Sequence, residues 1–226
     1  MRLLPRFGPL GSAAFSPDGL VLAYQDGETI QFKELPPDMV THPDSSVQSP
    51  LRTVEDFSGH TVEQLPILCT VNTAGGLNQA AIKLEHTDGQ RGLAVSYAIT
   101  QPPPNDYVLV ERCFSPEQDW SDARFFELWV ENDDQPKTLV VQFGEGRRCA
   151  GEPFSGEVWR TLVPLLPGEE RLVTVQLVDL LLVRADWSPL QNGQLDLAKI
   201  GYLAIGVHSN GPQAGATYLG SMQLWP

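Results

Sequence analysis

Short apolar runs separated by turn residues dominate the chain from about residue 51 onward. Runs of strand length that recur at roughly 8–15-residue intervals, with Gly, Pro and Asn between them, are typical of an all-β sandwich. A helix-like period occurs only around Leu195–Lys199, over one turn at most. The predicted strands cover 66–71, 79–85, 92–99, 106–113, 123–131, 137–143, 156–164, 170–178, 200–208 and 216–225.

Alternation within these strands predicts which residues face the core. The inward-facing sets are apolar at every second position, and the opposite sets mix aromatic side chains with amides and carboxylates. Strand 157–163 stays ambiguous, because Arg160 shares a parity with Val158 and Leu162. The predicted core sets are Phe126, Leu128, Val130; Leu139, Val141, Phe143; Val173, Val175, Leu177; Leu203, Ile205, Val207; and Tyr218, Met222, Leu224.

The N-terminal part has a different organisation. Turn signals at Pro17-Asp18-Gly19 and Asp26-Gly27 separate three short apolar runs, which predicts a β-meander over residues 1–35. Residues 36–50 contain four prolines together with Ser and Asp, and this composition predicts a linker. Residues 51–226 would then form a jelly-roll β-sandwich.

The meander resembles one blade of a WD-repeat-like β-propeller, through Ala14–Gly19 and Thr29–Phe32. A propeller needs at least about four blades, and the sequence contains no second copy. Two interpretations stay open: the chain is cut from a longer protein, or a lone meander packs on the main domain.

Charge narrows the classes of partner. Fifteen Lys and Arg against 28 Asp and Glu give a net charge of −13, which argues against nucleic acid and against anionic membrane surfaces. The apolar runs are far shorter than the ~20 residues of a transmembrane helix. Pro5 and Arg6 interrupt the first apolar run, so we expect no export signal and a cytoplasmic location by default.

Motifs for catalysis and metal binding are weak. Glu127 and Glu131 lie ~13 Å apart along one strand face, more than the ~5–9.5 Å of glycosidase carboxyl pairs. No GxSxG segment is present, and the four histidines and three cysteines lie in separate segments without metal-ligand spacing. We therefore expect a protein that is not an enzyme and has no metal or other cofactor.

The mixed outward faces suggest a different chemistry. A sugar ring presents an apolar C–H patch and a rim of hydroxyls, so it binds to flat aromatic surface flanked by fixed donors and acceptors. Trp225 and Gln223 could contribute, although strand tryptophans often only pack, and the sequence leaves open whether these residues share a face. The candidate ligand-binding residues are Glu127, Trp129, Gln142, Trp159, Arg160, Gln176, Tyr202 and His208.

Residues ~52–226 resemble the carbohydrate-binding modules of the galactose-binding-domain-like superfamily. The likeness rests on the Asp119-Trp120-Ser121 turn before strand 126–130, on segment 187–200, and on the closing strand that ends Met222–Trp225. The complex I intermediate-associated chaperone family has a similar layout. The resemblance implies a jelly-roll fold, a non-catalytic carbohydrate-binding role, and structural roles for Trp120 and Trp187.

The same resemblance bears on calcium. Many members carry an acidic pair, often near a structural calcium ion, where this chain has Gly220-Ser221. Asp56 remains as a candidate ligand from the first strand, but one carboxylate does not make a calcium site. A structural calcium ion is therefore not supported by Gly220 and Ser221.

Two functions follow from these observations. The first is a non-catalytic domain that recognises poly- or oligosaccharide by aromatic stacking and polar side chains on a sheet face. The alternative is a protein-interaction or assembly domain on the same sandwich, attached to a propeller-type protein. The expected partner is a carbohydrate or a protein, with neither nucleic acid nor a membrane.

Overall fold

The computed structural model describes the backbone at 13–15, 21–26 and 29–34, and residues 49–65, 69–87, 90–146, 156–183 and 192–226. The chain consists of two compact units, residues 1–48 and 49–226. In the described part, no helix has the length and apolarity needed to cross a membrane. The linker predicted over 36–50 falls almost wholly outside the described residues, as does Trp187.

The first unit contains a three-stranded antiparallel sheet in the order β1-β2-β3. Tyr24 pairs with both Ala13 and Gln31, so β2 is the central strand. This arrangement is the meander that the two turn signals predict. The strands are β1 (Ala13–Phe15), β2 (Val21–Asp26) and β3 (Thr29–Glu34).

The second unit is a jelly-roll β-sandwich of two sheets whose adjacent strands pair antiparallel. Sheet I has the order β13-β11-β10-β14-β8-β5, and sheet II has the order β12-β9-β15-β7-β6, with β4 also paired to β15. Sheet I comprises β5 (Thr70–Asn72), β8 (Tyr107–Gln118), β10 (Lys137–Glu145), β11 (Val158–Leu165), β13 (Leu181–Leu182) and β14 (Ile200–His208). Sheet II comprises β4 (Arg52–Glu55), β6 (Gln79–Thr87), β7 (Gln90–Ile99), β9 (Phe125–Asn132), β12 (Glu170–Gln176) and β15 (Gln213–Trp225).

The core lies between the two sheets and follows the predicted alternation. Phe126, Leu128 and Val130 of sheet II are fully buried, as are Leu139, Val141 and Phe143 of sheet I. Three short 3₁₀ turns, at Val62–Gln64, Leu177–Asp179 and Leu197–Lys199, interrupt the described strands. The last of them is the single helix-like turn expected from the sequence.

The predicted core-facing set of the closing strand, Tyr218, Met222 and Leu224, is wrong at Tyr218. Leu219 pairs with Val130, and Met222 pairs with Leu128, so β15 carries one extra residue between these pairs. Such a β-bulge shifts the parity of the strand. Tyr218 therefore lies on the opposite side from Met222 and Leu224, and Leu219 takes its place in the core.

Aromatic packing closes one part of the core. The Trp120 ring lies 6.2 Å from Phe126 in a stacked arrangement and 5.4 Å from Phe143 edge to face. Its side chain is only 1% exposed, and its Nε1 donates to Gln118 Oε1 at 2.9 Å. Trp120 thus serves the fold, as the resemblance implies.

Candidate functional site

The outward side of sheet I is most buried at its centre. Outward-facing Tyr202 and Ala204 on the central strand β14 and Val140 on β10 are fully buried, although they point away from the main core. They form a second small hydrophobic cluster with Leu109. Exposure rises toward the sheet edge, where Leu181 is 71% exposed. We call this outward side of β13-β11-β10-β14-β8-β5 the trough face.

A row of polar side chains, interrupted by Ala204, crosses the trough face. The strand register places Arg160 opposite Gln142, Gln142 opposite Ala204, and Ala204 opposite Glu111. Thr70 on β5 continues the row beyond Glu111. Strands are ~4.8 Å apart, so the row spans about 19 Å at right angles to the strands.

Glu111 is held in place by its neighbours. Its Oε1 accepts hydrogen bonds from Tyr202 Oη at 2.9 Å and from Asn72 Nδ2 at 2.8 Å. Both Glu111 and Tyr202 are buried. A buried and satisfied network of this kind fixes the positions of its members. The floor of the trough is therefore rigid on the β8 side.

An aromatic pair lies at one end of the trough. The Tyr107 and His208 rings are 5.5 Å apart and tilted by 38°. His208 Nδ1 lies 3.5 Å from Oδ1 of Asp106, which is buried behind it. Burial lowers the pKa of His208, and the Arg160 charge acts in the same direction, while Asp106 opposes both. At neutral pH the imidazole is therefore uncharged and offers an apolar ring face.

The outward side of sheet II has a different composition. Phe125, Glu127, Trp129 and Glu131 alternate outward along β9 and are all half-buried. Leu172 pairs with Trp129 and is 48% exposed. Thr174 Oγ1 donates to Glu127 Oε1 at 3.1 Å. We call this outward side of β12, β9 and β15 the β9 face.

The eight predicted ligand-binding residues are divided among three places. Gln142, Arg160, Tyr202 and His208 come together on the trough face, whereas Glu127, Trp129 and Gln176 lie on the β9 face. Trp159 lies on neither face, because it pairs with the core residue Phe143 and packs against the main core. This placement resolves the ambiguous parity of β11 in favour of an outward Arg160.

Other trough residues were not among the predicted set. Tyr107 and Glu111 share a parity on β8 with Leu109 and Cys113. The alternation of 107–113 could have indicated this outward set. Asn72 could not have been found this way, because β5 has only three residues.

The corner where β4 meets β15 does not fit calcium. Met222 pairs with Glu55, so the first and closing strands of the sandwich are adjacent there. The Glu55 carboxylate faces the Arg112 guanidinium and also contacts His60 Nε2 at 3.1 Å. Asp56 Oδ1 accepts from the backbone N–H and the hydroxyl of Ser58. No cluster of three or more potential ligands for a metal ion occurs among the described residues.

The cavity between the two sheets is too small for a ligand. A cavity of about 20 Å³ lies between the sheets beside Glu55, Cys69 and Leu203. This volume suits at most about one water molecule. Cys69 is buried, and burial raises the pKa of its thiol to about 11. A ligand larger than water therefore does not fit this cavity, whereas an open cavity of about 440 Å³ lies beside Arg52 and Arg112.

Comparison with solved structures places the sandwich among the jelly-roll modules. A family 11 carbohydrate-binding module from Clostridium thermocellum, in complex with a β-1,3-1,4-mixed-linked tetrasaccharide, superposes with a TM-score of 0.60 at 17% identity, covering 77% of this chain and 94% of that one. A solution structure of CtCBM11 gives 0.59 at 17% identity, covering 80% and 97%. An exo-β-agarase gives 0.54 at 14% identity, covering 79% of this chain but only 25% of the enzyme.

These likenesses show the fold. They confirm the jelly-roll architecture that the resemblance implies, and in the agarase the similar region is one part of a larger enzyme. They do not support the likeness of the N-terminal segment to a propeller blade. Neither a scan against protein-family models nor a search of curated proteins finds a match to the sequence.

Proposed function

We propose that the sandwich is a non-catalytic carbohydrate-binding domain that holds a neutral oligosaccharide in the trough face. The observation that carries the proposal is the row Arg160–Gln142–Ala204–Glu111, which is aligned across adjacent strands, with the Tyr107–His208 pair about 13 Å further along the same face. The fold shared with the family 11 module, which was solved with a tetrasaccharide, supports the same role.

The chemistry of the trough suits a sugar chain. The ring faces of Tyr107 and uncharged His208 would contact the apolar C–H patch of one pyranose. Arg160 supplies donors, and the Gln142 amide, which is 6% exposed, can both donate to hydroxyls and accept from them. A chain that contacts both Arg160 and the ring pair would cross the strands obliquely.

Several features favour binding without catalysis. Asp106 is buried behind His208, and Glu111 is engaged by Tyr202 and Asn72. Neither carboxyl is arranged as part of an acid–base pair across a glycosidic bond. Sugar hydroxyls exchange hydrogen bonds to water for hydrogen bonds to protein, so each contact contributes only about 1 kcal/mol and the affinity is modest.

The test is a binding screen followed by a directed variant. The purified chain is titrated against a panel of soluble neutral glycans that includes the β-1,3-1,4-mixed-linked tetrasaccharide and agaro-oligosaccharides, with and without calcium. Arg160→Ala should lower the affinity for any bound glycan by about tenfold, since hydrogen bonds from a charged group contribute about 1.5–3 kcal/mol.

Arg124→Ala is the matched control. Arg124 is an exposed arginine beside β9, outside the trough face, and its loss should leave the affinity unchanged. A blank panel under both conditions would contradict the proposal and favour a protein-interaction domain, to be tested by capture of a protein partner. Equal affinities of the wild-type chain and Arg160→Ala for the glycan would show that the glycan does not bind in the trough.

A further inference from the structure

The β9 face carries a half-exposed aromatic ring, that of Trp129, which is not part of the trough. At the bulge in β15, a Cβ on Gly220 would lie 3.0 Å from both Cβ and Cδ1 of Trp129. Cβ atoms of directly opposed residues are normally ~4.5–5.5 Å apart. The backbone of β15 therefore approaches β9 closely here, and the indole of Trp129 lies against a glycine instead of a neighbouring side chain.

Apolar and polar groups alternate along the β9 face in a fixed order. Trp129 and Phe125 lie ~13 Å apart along the strand, with Glu127 between them. Gln223 pairs with Glu127 from one side, and Thr174 donates to its carboxylate from the other. The result is a line of aromatic ring, hydrogen-bonding cluster and aromatic ring that runs parallel to the strands.

The chemistry of this line indicates its ligand. Leu172 beside Trp129 is 48% exposed, so the apolar surface around the indole reaches solvent. Glu127 and Glu131 flank the ring and accept hydrogen bonds from hydroxyl groups, but they repel phosphates and other anions. A neutral polyhydroxylated chain combines the C–H patches and hydroxyl donors that match this order.

We propose that the β9 face is a second carbohydrate-binding surface, so that one domain holds two glycan segments on opposite sides. The inference rests on the proposed function of the trough, because it assumes a glycan ligand. The two ligands would run in different directions, along the strands on the β9 face and obliquely across them in the trough. A domain with two such faces would cross-link soluble polysaccharide and bind it with avidity.

The first test follows the Trp129 indole directly. In ¹⁵N-labelled protein, the indole N–H signal that disappears in Trp129→Phe is monitored while the mixed-linked tetrasaccharide or another glycan from the panel is added. The titration is repeated in a trough variant, Tyr107→Ala with Arg160→Ala. The indole signal should shift in both proteins, and its titration midpoint should differ from that of the trough amides.

The second test measures cross-linking. Light scattering of a soluble polysaccharide should rise with wild-type protein, and it should fall to the polysaccharide baseline with Trp129→Ala or with the trough variant. Leu172→Ala removes exposed surface without opening the core and should lower the avidity for polysaccharide by about tenfold. Val62→Ala, at a 60% exposed apolar residue outside both faces, is the matched control.

The outcomes distinguish failure of the second surface from failure of both proposals. Trough amides that shift while the Trp129 indole stays fixed would overturn the second surface and leave the trough intact. Cross-linking of polysaccharide by Trp129→Ala would also overturn the second surface and leave the trough intact. If neither the indole nor the trough amides respond to any glycan of the panel, both proposals fail together.

Discussion

On the trough face the polar groups nearest the central strand are buried and bonded to one another, whereas on the β9 face the aromatic rings and carboxylates are half-exposed. Tyr202 and Glu111 exemplify the first arrangement, and Trp129 and Glu127 the second. Both faces come from the same alternation of residues along antiparallel strands. What differs is the residue type on the strands that form each face.

This difference has a consequence for binding. A buried and satisfied polar network is organised before the ligand arrives, so little ordering accompanies binding. A half-exposed indole offers stacking area with few fixed hydrogen bonds. We therefore expect the trough to select among glycans and the β9 face to bind many of them weakly.

The largest expected contrast concerns two glycines. A Cβ on Gly206 of the trough would lie 2.0 Å from the carbonyl oxygen of Val108 and 2.7 Å from Leu109 Cα, which are backbone atoms. Gly206→Ala should therefore lower the free energy of unfolding by about 3 kcal/mol or more. In Gly220→Ala the close atoms belong to the Trp129 side chain, so the loss should be nearer 1 kcal/mol.

Urea denaturation of both variants measures this contrast. Equal losses would mean that the backbone of the trough gives way as easily as a side chain on the β9 face, and the description of the trough floor as rigid would be wrong.

The next contrast concerns two glutamates. Glu111→Ala would leave the Tyr202 hydroxyl and the Asn72 amide without their buried acceptor, and should cost about 3 kcal/mol of stability. Glu127→Ala, at a half-exposed residue with one bond from Thr174, should cost about 0.5 kcal/mol or less. Thermal unfolding monitored by circular dichroism compares the stabilities of the two variants. A smaller loss of stability for Glu111→Ala than for Glu127→Ala would contradict the structural role of Glu111.

A third prediction concerns binding through the aromatic pair. Tyr107→Ala should weaken glycan binding in the trough by about tenfold, because it removes an aromatic stacking contact of ~1 kcal/mol together with its buried area. Tyr107→Phe keeps the ring and should stay within about threefold of wild type. Titration calorimetry distinguishes them, and an equal loss in both variants would assign the effect to the hydroxyl instead of the ring.

The smallest expected effect is a dependence on pH. The pKa of His208 is lowered in the folded chain, so between that value and 6.5 the unfolded chain binds more protons. The stability that depends on a neutral His208 is therefore complete at neutral pH, and it is lost as the pH falls below about 6.5. His208→Gln should show a shallower loss of stability than wild type between pH 7 and 5, and parallel curves would contradict the lowered pKa.

The fold was largely predictable, since alternation depends only on local sequence. The core positions 126, 128 and 130 and their counterparts 139, 141 and 143 follow directly from it. Tyr218 was misplaced because a bulge inserts one residue without a distinctive local pattern beyond Gly220-Ser221. The short strands β4 and β13 were missed, because four and two residues carry no readable period.

The candidate site was only partly predictable. Residue type identified Gln142, Arg160, Tyr202 and His208, but their assembly depends on the neighbour order β11-β10-β14. The sequence does not reveal this order, because β10 pairs both with β11, the next strand along the chain, and with the distant β14. For the same reason, the residues of the β9 face could not be separated from those of the trough.

The most direct test of the central claim is a titration of ¹⁵N-labelled protein with the neutral glycan panel, read at the backbone amides of β10 and β14. The account predicts that the largest shift changes fall at 138–144 and 202–208, and that they saturate together with a single midpoint. Shift changes confined to other parts of the chain, or none with any glycan, would contradict the claim that the trough holds an oligosaccharide.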